Sequence, residues 1–309
     1  MKTADSEPST TPSLFSGGLA ARTRASEVDL AGGTVAYWTY EPVRPTPETR
    51  TILVIHGFRG DHHGLLRVAD QLPEMRLIMP DLPGFGSSEA FVDGEHSVRR
   101  YGQFISDFME ALKLGPDTVL LGHSFGSIIA AHFVADHPLA VRPLILINPI
   151  AAPALEGPKG LMTRLAVLYY RLSARLPRPL GLLLLRSPLI VRVMSVAMAK
   201  TKDKDLLRFI HGQHHAYFSA FANRESLLES FTASISTNVA DVADKLRLPV
   251  LLVAGEKDEI ALLRDQHKLA GLLPDGTLEV IPGVGHLIHY ETPEPAAGFI
   301  RRFLKDHPA

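Results

Sequence analysis

The sequence predicts an α/β protein with a doubly wound, mostly parallel sheet and an inserted helical cap. Strand-like and helix-like segments alternate up to residue 148 and again from residue 249, as in chains built from βα units. The strand-like runs are continuously apolar and rich in Val, Ile and Leu, which is typical of strands covered on both faces. Between the two regions, residues 149–237 show a helical pattern interrupted by prolines.

Local patterns predict each element in turn. Ala31-Gly32-Gly33 separates two strand-like runs and predicts a hairpin at the sheet edge. Before the cap, we predict strands at 27–30, 34–40 and 51–55, a helix at 65–72, a strand at 76–79, a helix at 97–114, a strand and helix within 118–131, and a strand at 143–148. After the cap, we predict a strand at 249–255, a helix at 262–273, a strand at 278–281 and a helix at 295–304.

Composition excludes several chemistries. The chain has no cysteine, which removes disulfides, thiolate nucleophiles and zinc sites built from Cys. Its 32 basic and 33 acidic side chains give a formal net charge of −1, so we expect no nucleic-acid partner. Apolar residues make up 46% of the chain, which is ordinary for a globular protein with a large core.

The N-terminus and the cap set the predicted domain boundaries. The first 25 residues mix Ser, Thr, Pro and Gly with charges of both signs and contain no apolar run of signal-peptide length. Arg186, Pro188 and Arg192 interrupt the longest apolar stretch, so we expect no membrane span and a cytoplasmic protein. The predicted units are a disordered tail at 1–25, the first part of the core at 26–148, the helical cap at 149–237 and the second part of the core at 238–309.

A Gly-x-Ser-x-Gly sequence joins the strand before Gly122 to the helix after Gly126. A sharp strand-to-helix turn crowds its own backbone, so the residues two before and two after its apex must lack bulk. Ser124 stands at this apex, which lifts its hydroxyl clear of the sheet. The N-terminus of the next helix points at the hydroxyl, and the Phe125 N–H is free to bind a developing oxyanion. The pattern predicts a nucleophilic serine.

A serine nucleophile needs an imidazole base and a carboxylate that orients the base. Asp258 follows the predicted strand 249–255, and His286 follows the predicted strand 278–281. Because carboxyl ends of parallel strands meet at one sheet edge, we expect both side chains near Ser124.

Neighbouring residues compete for these roles. Glu256 and Glu259 are alternative acids, and His289 is an alternative base, although only His286 follows a Gly-x-Gly turn. The end of the preceding strand at Asn148-Pro149 offers no carboxylate, which favours Asp258.

Five motifs occur in order along the chain. They are His56-Gly57-Phe58, Asp81-x-x-Gly84-x-Gly86-x-Ser88, Gly122-x-Ser124-x-Gly126, the 255–258 segment and Gly285-His286. With the order Ser, Asp, His, the chain resembles serine-nucleophile α/β-hydrolases of the capped esterase, lipase and meta-cleavage hydrolase type. The resemblance runs from about residue 27 to the carboxyl terminus.

The resemblance implies an α/β-hydrolase fold and a role for each site residue. Ser124 would attack the substrate carbonyl, His286 would pass the proton to the leaving group, and Asp258 would orient the imidazole. The backbone N–H groups of Phe58 and Phe125 would form the oxyanion hole. The resemblance implies no cofactor. In haloalkane dehalogenases and epoxide hydrolases an Asp occupies the elbow, so the serine argues against those chemistries.

We interpret the other histidines as structural. His56 is expected to brace the oxyanion loop, and His123 to pack beside the nucleophile. The motif His211-x-x-His214-His215 presents two imidazoles at helical spacing without a neighbouring carboxylate, and His62-His63 is expected to be a solvated loop. We therefore predict no metal site.

The predicted cap is apolar and basic. Between Gly157 and Lys202 there is no Asp or Glu, while nine basic residues occur. These are Lys159, Arg164, Arg171, Arg175, Arg178, Arg186, Arg192, Lys200 and Lys202. Under one interpretation, apolar faces pack on the core and roof the pocket while the arginines face solvent. Under the other, the cap makes weak contact with a lipid or membrane surface, or admits a substrate with an acyl chain and an acidic head.

Apolar side chains of the cap and nearby loops are candidates for the walls of a substrate pocket. Together with Phe58 and Phe125, the candidates are Tyr169, Tyr170, Phe218, Phe221 and Leu287. Walls of this kind favour a hydrophobic substrate. A cap above such a pocket usually governs access, so we expect it to move.

These patterns predict a serine hydrolase that cleaves a carboxylic ester, or a similar acyl bond, of a moderately hydrophobic small molecule. The reaction would pass through an acyl-enzyme. The same triad also supports cleavage of a C–C bond beside a ketone, or opening of a lactone. A non-catalytic ligand receptor on the same fold is the alternative from another class. The sequence leaves the substrate and the oligomeric state open.

Overall fold

A mixed sheet forms the centre of the computed structural model, which describes residues 14–153 and 160–308. Within these residues the eight strands are β1 Thr23–Leu30, β2 Gly33–Tyr40, β3 Thr51–Ile55, β4 Arg76–Pro80, β5 Val119–His123, β6 Leu144–Ile147, β7 Val250–Gly255 and β8 Gly276–Ile281. Their order across the sheet is β1-β2-β4-β3-β5-β6-β7-β8. β1 and β2 form an antiparallel edge hairpin, β2 pairs antiparallel with β4, and the remaining pairs are parallel. The predicted fold class is confirmed.

Helices follow most of the strands. In the described segments the α-helices are α1 Leu66–Asp70, α2 Val98–Ala111, α3 Phe125–Asp136, α4 Gly160–Arg175, α5 Arg178–Leu185, α6 Pro188–Met198, α7 Lys204–Tyr217, α8 Arg224–Ser236, α9 Leu263–Leu272, α10 Ile288–Glu291 and α11 Pro293–Asp306. The elements predicted from the sequence are present, with ends shifted by a few residues. The sequence pattern does not predict α10, because a single helical turn is too short to show periodicity.

The central strands are buried on both faces. In β3, Leu53 and Ile55 pack into one apolar cluster, while Ile52 and Val54 pack into the other. Successive side chains of a strand point to opposite faces, so an unbroken apolar run supplies both clusters.

A crevice opens where the chain changes direction across the sheet. After β3 the chain crosses to β4 on one side and then returns to β5 on the other side. The loops that leave β3 and β5 therefore separate at the carboxyl edge of the sheet, and ligands of open α/β sheets bind at such points. This geometry places the loop after residue 55 next to Ser124.

The prediction of a disordered tail through residue 25 is wrong for residues 14–25. Leu19 is buried in the apolar cluster that contains Ile52 and Val54, and β1 already begins at Thr23. The Ser16 hydroxyl and backbone N–H donate to the carboxylate of Asp70, at 2.6 and 2.7 Å. The composition of this segment predicted disorder, but the buried side chain of Leu19 and the hydrogen bonds to the buried carboxylate of Asp70 hold it in place. The rest of the predicted tail, residues 1–13, lies outside the described residues.

The helical region lies between β6 and β7 and is joined to the core by backbone pairing. Helices α4 to α8 occupy this stretch. An isolated antiparallel bridge joins Phe85 to Phe221. On either side of it, the Gly86 N–H donates to the Ala220 carbonyl at 2.7 Å, and the Ala222 N–H donates to the Gly84 carbonyl at 3.0 Å. The division into core segments 26–148 and 238–309 around a cap at 149–237 stays a prediction.

Two glycines allow a test of the helix packing. Gly298 lies inside α11 with no atom near the position of an added Cβ, so Gly298→Ala should raise the free energy of unfolding by about 0.5–1 kcal/mol. Gly126→Ala should lower it, because the added methyl would collide with the Ile55 carbonyl oxygen and come within 2.6 Å of the His56 oxygen. Urea unfolding of both variants measures the difference. An equal change in the free energy of unfolding for the two variants would contradict the close packing at Gly126.

Candidate active site

Ser124 occupies a strained turn between β5 and α3. Its backbone has φ 52° and ψ −116°, a conformation that residues with a side chain rarely adopt. A Cβ at Gly122 would come within 2.5 Å of the Gly126 carbonyl oxygen, so the turn excludes a side chain there. The Ser124 N–H donates to the Ile147 carbonyl at 3.1 Å, which fixes the apex beside β6. Such strain persists where the surrounding structure enforces it.

The structure brings the three predicted polar side chains into one hydrogen-bonded line. The Nε2 atom of His286 lies 2.9 Å from the Ser124 hydroxyl, and its Nδ1 atom lies 2.7 Å from Oδ2 of Asp258. An ionised carboxylate can only accept, so Nδ1 carries the hydrogen and a neutral imidazole has its Nε2 lone pair free for the serine proton. The arrangement allows proton transfer from the hydroxyl to the imidazole.

Backbone donors hold the buried carboxylate of Asp258. Its Oδ1 atom accepts hydrogen bonds from the Ile260 N–H at 2.7 Å and the Ala261 N–H at 2.9 Å. A buried carboxylate is costly unless hydrogen bonds satisfy it, and here both oxygens have partners. The first oxygen is fixed by the loop after β7, so the second points at the imidazole.

The alternative acids and base lie elsewhere. Glu256 accepts a hydrogen bond from the Gly283 N–H at 2.7 Å, and Glu259 faces Lys200 at 3.3 Å. His289 is buried with its ring centroid 4.2 Å from that of His123. Its Nδ1 atom has no hydrogen-bond partner within the described segments. The geometry favours Asp258 and His286 over these three.

Asn148 holds the acid loop and the base loop together, which the sequence did not reveal. Its side-chain oxygen accepts from the Gly255 N–H at 2.9 Å. Its side-chain nitrogen donates to the carbonyls of His286 at 2.9 Å and Gly285 at 3.3 Å. The residue is fully buried at the end of β6 with φ 44°, a conformation that Asn tolerates better than most residues. A carboxylate could not donate these bonds.

The loop after β3 lies directly against the serine. A Cβ added at Gly57 would stand 3.2 Å from the Ser124 Cβ. His56 holds this loop with both ring nitrogens: Nδ1 donates to the Gly57 carbonyl at 2.8 Å, and Nε2 accepts from the Leu82 N–H at 2.8 Å. Burial lowers the pKa of His56, which keeps the ring neutral as this pattern requires. The ring therefore braces the loop that carries Phe58.

The Phe58 ring joins an aromatic cluster between the loop after β3 and the helices α4 and α8. Its centroid lies 5.9 Å from the ring of Tyr170 and 6.5 Å from that of Phe125. Tyr170 in turn stacks on Phe231 at 3.9 Å. Phe125 is the first residue of α3, so its backbone N–H has no partner within the helix.

Arg59 is a buried cation that the sequence analysis missed. It follows Phe58, has φ 60°, and is almost completely buried. Its guanidinium donates to the Phe218 carbonyl at 2.9 Å, the Leu185 carbonyl at 2.7 Å and the Tyr170 hydroxyl at 3.2 Å. The two carbonyls lie at the C-terminal ends of α7 and α5, where helix dipoles favour a positive charge. A single arginine in a loop gives no sequence signal for this role.

The predicted pocket residues lie in different environments. Tyr170 belongs to the aromatic cluster, whereas the Tyr169 hydroxyl donates to the Leu184 carbonyl at 3.1 Å inside the cap. Phe221 is buried beneath the guanidinium of Arg186, and Leu287 is buried in an apolar cluster with residues of α7. The Phe218 ring packs 4.1 Å from that of His214. Their role as substrate contacts stays a prediction.

The histidines of the two motifs are buried or half-buried, except His215, which is exposed. The prediction of a solvated loop is wrong for His62, which is buried, stacks on Trp38 at 3.3 Å and hydrogen-bonds to Asp81 at 2.9 Å. His211 and His214 both contact the Ser195 hydroxyl, at 2.6 and 2.7 Å. Burial lowers the pKa of His214 to about 3.

One group of side chains has the spacing of a metal site. The ligand atoms of Asp61, His62 and His63 lie within 4.8 Å of one another. However, the Asp61 carboxylate accepts from the His63 N–H at 2.9 Å, and the His62 ring is held by Asp81. The expectation of no metal stays a prediction.

The fold and the line of hydrogen bonds from Ser124 through His286 to Asp258 are the features that the sequence resemblance implies. A sequence profile described as the Alpha/beta hydrolase family matches residues 52–299. The chain belongs to the α/β-hydrolase family, as the sequence predicted.

Known proteins agree with this assignment. The chain is 23% identical over 260 residues to Lipase 3 of Moraxella sp. (strain TA144), covering 82% of this chain and 76% of the lipase. A thermophilic esterase from Thermogutta terrifontis superposes with a TM-score of 0.71 at 22% identity, covering 93% of this chain and 100% of the esterase. The enol-lactonase from Burkholderia xenovorans LB400 superposes with a TM-score of 0.73 at 15% identity, covering 91% and 100%. These structural similarities show the fold.

Replacing Asn148 tests its role between the two loops. Asn148→Ala leaves the buried Gly255 N–H without an acceptor, so we expect the free energy of unfolding to fall by about 1–3 kcal/mol. Asn148→Asp should also destabilise, because its carboxylate cannot donate to the carbonyls of Gly285 and His286. Denaturant unfolding provides the measurement, with the exposed Gln103→Ala as a control expected within about 0.5 kcal/mol of wild type. Wild-type stability of both Asn148 variants would contradict the role.

Proposed function

We propose that the protein is a serine hydrolase that cleaves a carboxylic ester of a moderately hydrophobic small molecule. The observation that carries the proposal is the line of hydrogen bonds from Ser124 through His286 to Asp258. Similarity to a lipase supports an ester as the bond that is cleaved. The triad roles and the oxyanion hole are part of this proposal.

In the first half of the reaction, the ester transfers its acyl group to Ser124. His286 takes the hydroxyl proton on Nε2 as Oγ attacks the carbonyl carbon, and the carbonyl oxygen becomes an oxyanion. The N–H groups of Phe58 and Phe125 would stabilise this charge, and one such donor typically contributes about 10²–10³-fold to kcat. The imidazolium then gives its proton to the departing alcohol, and an acyl-enzyme remains.

In the second half, water replaces the alcohol. His286 accepts a proton from water, whose oxygen attacks the acyl carbonyl and forms a second oxyanion in the same place. Collapse breaks the bond to Ser124, which recovers its proton from the imidazolium, and a carboxylic acid leaves. Asp258 keeps its charge throughout and stabilises the imidazolium that forms in each half.

The aromatic cluster supports a hydrophobic substrate. Phe58, Tyr170 and Phe231 lie together where the loop beside Ser124 meets the cap. Burial of each substrate methylene against such surfaces contributes about 0.8 kcal/mol. An acyl chain of several carbons is therefore the substrate class that we propose.

Ser124→Ala provides the direct test of the nucleophile. We expect kcat for ester hydrolysis to fall by about 10⁴–10⁶-fold, because the hydroxyl that forms the acyl-enzyme is gone. Covalent labelling by a fluorophosphonate, read by intact-protein mass spectrometry, should disappear.

The matched control is Ser236→Ala, which removes an exposed hydroxyl at the end of α8 and should label like wild type. Labelling of Ser124→Ala at the wild-type rate would show that the nucleophile lies elsewhere.

A substrate panel tests the bond type and the chain-length preference. From p-nitrophenyl acetate to p-nitrophenyl butyrate, we expect kcat/KM to rise about tenfold, because two more methylenes are buried. The alternatives are compared by measuring kcat/KM for lactones and for the diketones of meta-cleavage reactions, each followed through its own product. Turnover confined to those compounds would replace the ester proposal, and a labelled enzyme that turns over none of them would favour a receptor.

A further inference from the structure

The outer surface of the cap carries exposed apolar side chains. Eight of the thirteen large apolar side chains that are exposed in the described part of the chain lie on α4, α5 and α6. We call this set the apolar cap face: Leu165, Leu168, Leu172, Leu180, Leu183, Leu189, Val193 and Val196. Leu183 and Leu189 are 70% and 73% exposed. Single apolar residues scattered over a surface are normal. A concentration of exposed apolar residues on three consecutive helices is typical of an interaction site.

Helical spacing aligns these residues into stripes. On α6, Leu189, Val193 and Val196 follow the i, i+4, i+7 pattern, and on α4 the three leucines follow i, i+3, i+7. The opposite sides of the same helices are buried, as Val191 on α6 and Tyr170 on α4 show. Each helix therefore packs on the protein with one side and presents an apolar stripe with the other.

Positive charge accompanies the apolar cap face. The segment from Gly157 to Lys202 contains no acidic residue. Four exposed arginines on α4 and α6 make no ion pair with any residue that the structure describes; they are Arg164, Arg171, Arg175 and Arg192. The net charge of the whole chain is −1, so this positive region is local. An apolar surface bordered by these exposed arginines is complementary to a lipid surface with anionic headgroups.

A basic groove adjoins the face. It lies between α6 and α7 and has a volume of about 490 Å³. Pro188, Val191 and Leu207 line its apolar part, while Arg192 and Lys204 contribute charge. Arg192 thus borders both the groove and the stripe that includes Val193. The groove can accept a phosphate-bearing headgroup while the stripe contacts acyl chains.

The lengths of the helices favour a position in the membrane surface over a span. By length and composition alone, residues 178–198 could cross a membrane. In the structure this stretch is divided at Arg186 and Ser187 into α5, with 8 residues, and α6, with 11 residues. At 1.5 Å per residue neither helix approaches the roughly 30 Å of a bilayer core.

We propose that the apolar cap face docks on an anionic lipid bilayer, with α4–α6 lying in the interface and the basic groove binding headgroups. Docking uses none of the residues assigned to ester hydrolysis. It is therefore a separate property, and lipid binding can be measured without turnover.

Vesicle cosedimentation of the full chain tests the proposal. We expect the protein to bind phosphatidylcholine vesicles that contain phosphatidylglycerol, with weaker binding at high salt and much weaker binding to pure phosphatidylcholine. The double variant Leu183→Asp with Leu189→Asp should lose about tenfold or more in binding. Arg171→Glu with Arg175→Glu should lose about fivefold or more for each arginine replaced, because each change removes a positive charge and adds a negative one. Ser124→Ala should bind like wild type.

The matched control is Leu139→Asp with Leu272→Asp, which charges two exposed leucines outside the apolar cap face and should leave binding unchanged. Unchanged thermal unfolding of each variant shows that the fold is intact. Equal loss in the control, or no preference for anionic vesicles, would overturn the proposal. A further contradicting result would be a wild-type dimer in sedimentation velocity that does not bind vesicles and that dissociates when Leu183 and Leu189 are replaced by Asp. In that case a second copy of the chain would cover the apolar cap face.

Discussion

The close backbone approach between β3 and α3 is the constraint on which the site depends. The carbonyl oxygens of Ile55 and His56 lie where any side chain at Gly126 would stand. This approach forces the chain to turn within one residue, so Ser124 takes a conformation that costs about 1–3 kcal/mol. The flanking strands are buried on both faces and can hold that strain. The same close approach holds the loop of Gly57 against Ser124. The position of the nucleophile and the positions of the proposed oxyanion donors therefore depend on one packing contact.

Hydrogen bonds to backbone groups, more than ion pairs, hold the loops around Ser124. Asn148 joins the strand end before Asp258 to the carbonyl of His286, and it adds to the backbone hydrogen bond from the Lys257 N–H to the Val284 carbonyl at 2.8 Å. Arg59 does the same between the loop after β3 and the cap. Both side chains therefore position loops by donating hydrogen bonds to backbone carbonyls.

Most of the fold and the central residues of the site follow from the sequence, because local patterns encode them. Unbroken apolar runs identify β3 and β5, and the spacing around Ser124 identifies the turn. Asn148 and Arg59 could not be found this way, since their partners are distant along the chain and their identities carry no periodic signal. The ordered segment at Leu19 was missed for a related reason: one buried side chain outweighs the composition of its surroundings. Burial of His62, which lies in the loop after β3, likewise depends on stacking against Trp38 of β2.

Helices α4 and α5 carry the apolar cap face on one side and contact the loop beside Ser124 on the other side. On α4, the stripe of exposed leucines and the buried Tyr170 are fixed to one helical rod, and Tyr170 contacts Phe58. Leu185 on α5 accepts a hydrogen bond from Arg59. A bilayer bound to the apolar cap face changes access to Ser124 only if it binds one position of α4–α6 more tightly than another. The hydrogen bonds from Arg59 to Phe218, Tyr170 and Leu185 oppose displacement of α4, α5 and α7 from the loop after β3, because displacement would break them. Movement that keeps α4, α5 and the loop together is therefore less costly than opening between them.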